Sequence, residues 1–336
     1  MSFNVAVVGA TGAVGETIVR VLEERRLPVG ALAPFASRES RGGVRFRGAP
    51  LDVRAATSDA LRGFDVVFFA GGEDASERYA PALIEDGSIV IDNSSTFRMR
   101  ADVPLIVPEV NADAVRSEHR LFPVANCTAI VLCAALAPVR AVAGLRTVRV
   151  ATYQAASGAG RAGIDEFIAA ERAVALGEPE PDGVVFPHRL TRNVIPQIGP
   201  FDGSGYSSEE RKVRDETRKM LGLPHLLLSA TTVRVPVRTA HSEAVWLETE
   251  RETSVAELAA AFERAQGIAF HPEGAVTPRD VEGTDNVHVA RLRAEDAGTP
   301  TRFVLWCVGD QLRKGAATNA VQILELLIAR GFVTAR

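Results

Sequence analysis

Cysteine is scarce. Three residues in 336, widely spaced and odd in number, do not make a disulfide framework, and no CxxC or HxxxH spacing offers a zinc site. A reducing compartment is expected, with no metal. An excess of one charge is also lacking: the net charge is −4 and no Lys/Arg block stands out, which removes the electrostatic case for nucleic acid. The longest apolar run, 129–139, is too short to span a bilayer and contains Pro138. The opening MSFNVAVVGA has no basic stretch ahead of its apolar residues, so a secretory signal is not indicated. No internal repeat or low-complexity tract is evident. These absences leave a cytoplasmic protein whose partners are small molecules, with neither nucleic acid nor membrane. The 46% hydrophobic and 24% charged content is ordinary for a globular chain long enough to hold two domains.

What is present begins with a strand, a glycine turn and a helix in that order. Residues 3–8 read as a buried strand, Gly9-Ala10-Thr11-Gly12-Ala13-Val14-Gly15 as a loop, and 13–25 as a helix with Val14, Ile18, Val21 and Leu22 on one stripe. Further strands are expected at 29–34, 65–69 and 88–92, with a helix over 75–86. Such alternation predicts a Rossmann-type doubly wound parallel sheet, an α/β fold. Beyond residue 126 the pattern changes to strands at 147–156, 231–237 and 244–250, and helices opened by Ser207 with Glu210 and Ser254 with Glu257. Pro138 is expected to kink or end the helix that follows Cys127. A last helix over 316–329 carries Ala317, Ala320, Val321, Leu324 and Leu327 on one stripe and stops at Gly331. The expected division is a cofactor domain of 1–126 with 316–336, and an α+β catalytic and dimerisation domain of 127–315 with a mixed sheet.

Each candidate residue has a bland reading beside the chemical one. The GxxGxxG loop lets backbone approach a pyrophosphate at a helix N-terminus, or is only a tight turn. No acidic residue stands at 33–36, where an NAD-preferring site would place one; Ser37, Arg38, Ser40 and Arg41 follow, which suits a ribose 2′-phosphate or a solvated loop. Cys127 precedes a long apolar helix, whose unpaired N–H groups and dipole favour thiolate. A thiol of pKa about 8.5 is about 3% ionised at pH 7, whereas one lowered to roughly 6 is about 90% ionised. The alternative is a buried inert thiol, the reading given to Cys133 and Cys307. Of six histidines only His241 falls in a polar connection between strands, where a general base is presentable. Glu216 and Lys219 have the spacing of a solvated ion pair, and Arg98 and Arg234 are each commonplace alone. A nucleophilic thiol combined with a dinucleotide loop suggests an aldehyde and an acyl-thioester.

The stretches VAVVGATGAVG, VIDNSSTFRM, VPEVN, NCTAI, TYQAASGAG, FPHRLTRNVIPQI, DETRKML, RVPVRTAHSEAV and LRKGAATNAVQI carry a resemblance. In order and spacing, over essentially the whole length, the chain resembles the aspartate-β-semialdehyde dehydrogenase family. The resemblance implies reductive dephosphorylation of L-aspartyl 4-phosphate by NADPH to L-aspartate 4-semialdehyde and phosphate, early in lysine, threonine, methionine and diaminopimelate synthesis. It also implies a homodimer or homotetramer. By position, Cys127 matches the nucleophile, His241 the acid/base and Gln154 the residue that orients the acyl group. Arg234 matches the partner of the substrate α-carboxylate, Glu216 that of its α-ammonium, and Arg98 and Lys219 the phosphate-binding pair. Thr11, Gly12, Ala13, Val14, Ser157, Gly158 and Gln311 fall where the family contacts NADP, and Gly9 of the glycine loop with Ser37, Arg38 and Ser40 of the polar loop complete the expected cofactor site. The resemblance has two departures: Glu39 stands where the family's loop has arginine, and Gln311 where asparagine is common. An N-acetyl-γ-glutamyl-phosphate reductase runs the same chemistry on an acylated amine, which would not reward Glu216. A glyceraldehyde-phosphate dehydrogenase reads CTTN where this chain has Cys127-Thr128-Ala129-Ile130. A silent NADP-binding regulator on the same fold is the alternative outside catalysis.

Overall fold

The computed structural model describes residues 2–38 and 40–335, without the side chains of 40–42. It divides into two compact units, Met1–Ala125 with Ala316–Arg336, and Asn126–Gly315. In the first unit the chain runs β1 (Phe3–Val8), α1 (Ala13–Glu24), β2 (Val29–Ala36), β3 (Ser40–Phe46), β4 (Ala49–Ala55), β5 (Val66–Phe69), α2 (Glu73–Glu85), β6 (Ile89–Asp92), α3 (Pro108–Asn111) and β7 (Leu121–Pro123). These strands form a seven-stranded sheet in the order β3-β4-β2-β1-β5-β6-β7. Every neighbouring pair from β4 to β7 is parallel. The inner strands are apolar on both faces because helices cover both, as a parallel sheet requires.

The antiparallel hairpin β3–β4 at the sheet edge is absent from the sequence-based expectation. Its turn is Arg47-Gly48, with φ of 50° and 78°. Positive φ at both positions is the requirement of a type I′ turn, which Asn-Gly or Asp-Gly normally announces; arginine at the first position hides it. The chain leaves β1 toward β2 and leaves β5 toward β6, in opposite directions. The crevice at the carboxyl ends of β1 and β5 is therefore the topological switch point, where such sheets bind ligands.

The second unit comprises α4 (Cys127–Ala143), β8 (Thr147–Gln154), α5 (Gly160–Leu176), α6 (Ser208–Leu221), β9 (Leu227–Arg234), β10 (His241–Glu248), α7 (Val255–Arg264), β11 (Ile268–His271), α8 (Pro278–Val281), β12 (Val287–Ala294) and β13 (Arg302–Gly309). Its six-stranded mixed sheet has the order β11-β12-β13-β10-β8-β9. Burial alternates along β8 and β9 and along the later part of β10. Val148, Val150, Thr152 and Gln154 of β8, Leu228, Ala230, Thr232 and Arg234 of β9, and His241, Glu243, Val245 and Leu247 of β10 face inward and are buried. The helices α4, α6 and α7 pack in this unit and cover that face. The opposite face carries Arg149, Tyr153, Trp246 and Trp306, with Tyr153 and Trp246 each 40% exposed.

Of the two outcomes expected at Pro138, a kink or an end, the end does not occur. The helix α4 runs on to Ala143, because Val139 and Ala143 are still buried beyond the proline. Gly144, at φ 72°, sets the end by donating its N–H to the Arg140 carbonyl. The chain then returns to the first unit as α9 (Thr318–Ala329), which packs on α1, α3 and β6. There Asn319 donates to the Ile106 carbonyl and Arg25 pairs with Glu325. No helix among the described residues is long and apolar enough to cross a membrane.

Candidate active site

Cys127 is the first residue of α4, and Asn126 is its cap: the Asn126 Oδ1 accepts the N–H of Thr128 at 3.0 Å and of Ala129 at 3.1 Å. The cap frees the thiol from satisfying the helix end and fixes where the sulfur stands. Of the three cysteines, Cys127 alone is partly accessible. Cys133 and Cys307 are fully buried, and burial pushes both thiols far up, so neither supplies thiolate.

Register brings three more residues to the same end of the sheet. Gln154 and Arg234 are paired at the carboxyl ends of the parallel strands β8 and β9. The antiparallel β10 begins beside them with His241, which pairs with Gly309 at the end of β13. His241 is thus a strand residue rather than part of the preceding connection. The residue before it, Ala240, is buried at φ 70°, a left-handed conformation that non-glycine residues seldom adopt, and its N–H donates to Gln311 Oε1 at 2.7 Å. The Gln311 amide in turn donates to the Ser157 hydroxyl. Space here is tight: a Cβ on Gly158 would lie 2.6 Å from an Arg234 nitrogen and 3.0 Å from His241 Nε2. A Cβ on Gly315 would lie 2.9 Å from that of Cys127 and 3.2 Å from that of Gln311.

The charges follow from this crowding. Burial pulls the His241 imidazole down to about 3, helped by the Arg234 guanidinium, so the ring is neutral at pH 7. Its Nδ1 accepts the Ala155 N–H at 3.0 Å, which leaves the ring proton on Nε2, a buried atom with no hydrogen-bond partner among the described residues. Arg234 is held by the Ala155 carbonyl at 2.6 Å. Burial lowers its affinity for the proton, and the nearby Glu209 and Cys127 oppose that. Gln154 receives the Thr152 hydroxyl on Oε1 at 3.0 Å and donates from Nε2 to Glu209 at 3.0 Å. Glu216 is buried on α6 and accepts the Asn126 N–H at 2.5 Å; Lys219, one turn on, is half-buried.

Arg98 belongs to the first unit, buried, with an Nη donating to the Asn93 carbonyl at 2.9 Å. The turn that carries it is organised by Asp92, which accepts from Ser76, from the Ser94 N–H and from the Ser94 hydroxyl. In the same unit a cleft of about 860 Å³ opens at the ends of β1, β2 and β5, lined by Gly9, Thr11, Gly12, Ser37, Thr57, Asp59, Asp74 and Arg78 among others. Gly9 has φ 82°, and a Cβ there would strike Ala70 and Gly71 at 2.6 Å; a Cβ on Gly15 would strike the Gly9 carbonyl. No side chain caps α1, whose N-cap is Gly12. A helix start without a side-chain cap among the described residues suits the approach of a pyrophosphate. Ala13 and Val14 open α1, while Arg38 is exposed and is not part of the cleft lining. Glu39 and the side chains of Ser40 and Arg41 lie outside the described residues.

The structure therefore gathers Cys127, Gln154, Ser157, Gly158, Arg234, His241 and Gln311 in one unit, and Gly9, Thr11, Gly12 and Ser37 in the other. Sequence reasoning passes over Glu209 and Arg78. A first-turn acid and an exposed arginine on a helix both look solvated in sequence.

Residues 4–118 match the family description "Semialdehyde dehydrogenase, NAD binding domain", and residues 136–314 match "Semialdehyde dehydrogenase, dimerisation domain". The chain is 41% identical to the aspartate-semialdehyde dehydrogenase of Aquifex aeolicus, over 99% of this chain and 100% of that one. It is 38% identical to the Bacillus subtilis enzyme of the same name, over 96% and 97%. The crystal structure of aspartate semialdehyde dehydrogenase II from Vibrio cholerae complexed with ASA superposes with a TM-score of 0.93 at 38% identity, covering 98% of this chain and 99% of that chain.

Proposed function

Since the chain belongs to the aspartate-semialdehyde dehydrogenase family, we propose that it interconverts L-aspartyl 4-phosphate and L-aspartate 4-semialdehyde with NADP, through an acyl-thioester on Cys127. The observation that carries this reading is the meeting of Cys127, Gln154, Arg234 and His241 at one end of the six-stranded sheet. The Cys127 sulfur attacks the acyl carbon; a C–S bond forms, the C–O bond to phosphate breaks, and phosphate departs with the electron pair. Lys219 is the cation of the second unit assigned to the phosphate. Gln154 faces the acyl oxygen, and Arg234 offers a planar fork to the α-carboxylate. Glu216 offers a buried carboxylate to the α-ammonium. NADPH, when bound, supplies the hydride that reduces the thioester. His241 presents a neutral Nε2–H, the form that stabilises the oxyanion of the tetrahedral centre; collapse then breaks the C–S bond and returns the thiolate.

The cleft at the switch point is the proposed NADP site, with Ser37 and Arg78 in its lining as partners for the adenosine 2′-phosphate. The oligomer is proposed to be built on the open face of the six-stranded sheet, where Tyr153, Trp246 and Trp306 lie. The activity is tested by reduction of NADP⁺ with aspartate semialdehyde and phosphate. The reading requires phosphate-dependent turnover that Cys127→Ala abolishes; an inactive wild type, or an active Cys127→Ala, contradicts it.

A further inference from the structure

Glu209 is turned inward where a first-turn acid is ordinarily solvated. The N-terminus of α6 that carries it is fixed by a reciprocal capping box, Ser207 with Glu210, so the side chain leaves from a defined turn. It is only 9% exposed. Its Oε1 accepts two hydrogen bonds, from Asn126 Nδ2 at 2.9 Å and from Gln154 Nε2 at 3.0 Å. One oxygen atom thus joins the cap of the helix that bears Cys127 to the strand end that bears the amide.

The chemical consequence is an amide with a fixed sense. Gln154 has its oxygen committed to the Thr152 hydroxyl and one N–H committed to Glu209. A primary amide has two N–H donors, so with its oxygen held toward Thr152 the second N–H is the one left to face a ligand. A donor stabilises a carbonyl oxygen that gains charge during addition, whereas the amide oxygen in its place repels it. Amide oxygen and nitrogen are nearly equal in size, so sterics do not set this choice; the carboxylate does. The same oxygen orients Asn126, whose Oδ1 must face the N–H groups of Thr128 and Ala129 for the cap to form.

We propose that Glu209 is a positioning residue that fixes Gln154 as a hydrogen-bond donor to the reacting carbonyl and Asn126 as the cap of the thiol helix. This rests on the activity proposed above. The test is a double-mutant cycle of Glu209→Ala and Gln154→Ala, with Glu209→Gln as the conservative variant. For each protein, kcat and KM for aspartate semialdehyde and the thermal midpoint are measured. Glu209→Ala should lower kcat on the order of 10²-fold with KM little changed. It should cost far less in the Gln154→Ala background, and Glu209→Gln, whose amide oxygen still accepts both bonds, should recover much of the loss. Equal losses in both backgrounds overturn the proposal. So does a Glu209→Gln variant as impaired as the alanine one with a raised KM, which marks the charge as a direct partner of substrate. An inactive wild type strikes the activity reading and leaves a second readout, the side-chain amide resonances of Gln154. Two well-separated N–H signals that merge in Glu209→Ala support the proposal, and signals unmoved by that change refute it.

Discussion

Glu243 and His241 lie two residues apart on the inner face of β10, and burial holds both neutral from opposite directions. Burial pushes the Glu243 carboxyl up to about 8, with the Cys307 thiol at 3.4 Å its partner. His241 is pulled down to about 3. The signs differ. As pH falls through 6.5 the unfolded chain protonates its histidine while folded His241 does not, so this contribution to stability is whole above 6.5 and is lost toward 3. Folded Glu243 keeps its proton up to about 8 while the unfolded carboxyl loses it near 4.5, so this contribution is whole below 4.5 and is lost as pH rises to 8. Glu243→Gln mimics the neutral acid and does not titrate. Its stability relative to wild type should rise between about pH 5 and about pH 8, read from urea midpoints; a constant difference contradicts the assignment. At this scale the sequence is readable where position alone marks a residue, as Asn126-Cys127 ahead of an apolar run does. It is silent on Glu209 and Glu243, whose inward direction depends on which helix face and strand face the fold buries.

Among the elements, α4 shows how a local breaker is overruled. Pro138 removes the N–H that would bond the Ala134 carbonyl, yet buried Val139 and Ala143 keep the helix going to Gly144. Pro138→Ala restores that bond and should stabilise the protein by about 1 to 3 kcal/mol in chemical denaturation. An unchanged or lower midpoint counts against this view of the helix. Strands and helices with a clear period or a capping pair are legible in the sequence, among them β1, α1, β5, α6 and α7. Those that fail have concealed punctuation. The β3–β4 hairpin hides behind arginine in a turn that favours Asn or Asp, and α5 begins at Gly160 with no capping side chain to announce it.

In the whole molecule, the alternation of strands and helices up to residue 92 makes the parallel sheet readable, and the change of pattern after the thiol makes a second sheet readable. The sequence does not say that the second sheet leaves part of one face, around Tyr153 and Trp246, exposed in a single chain. Trp246 and Tyr153 at 40% exposure on that face are expected to be buried by a second copy. Trp246→Glu should shift sedimentation toward the monomer; an unchanged oligomer places the interface elsewhere. Every step of the proposed reaction depends on a covalent bond between the Cys127 sulfur and the aspartyl carbonyl. Quenching the enzyme with aspartyl phosphate in the absence of NADPH, then mapping the modified peptide by mass spectrometry, tests it most directly. The predicted result is an aspartyl adduct on the peptide that contains Cys127; an adduct on another residue, or turnover with no adduct formed, contradicts it.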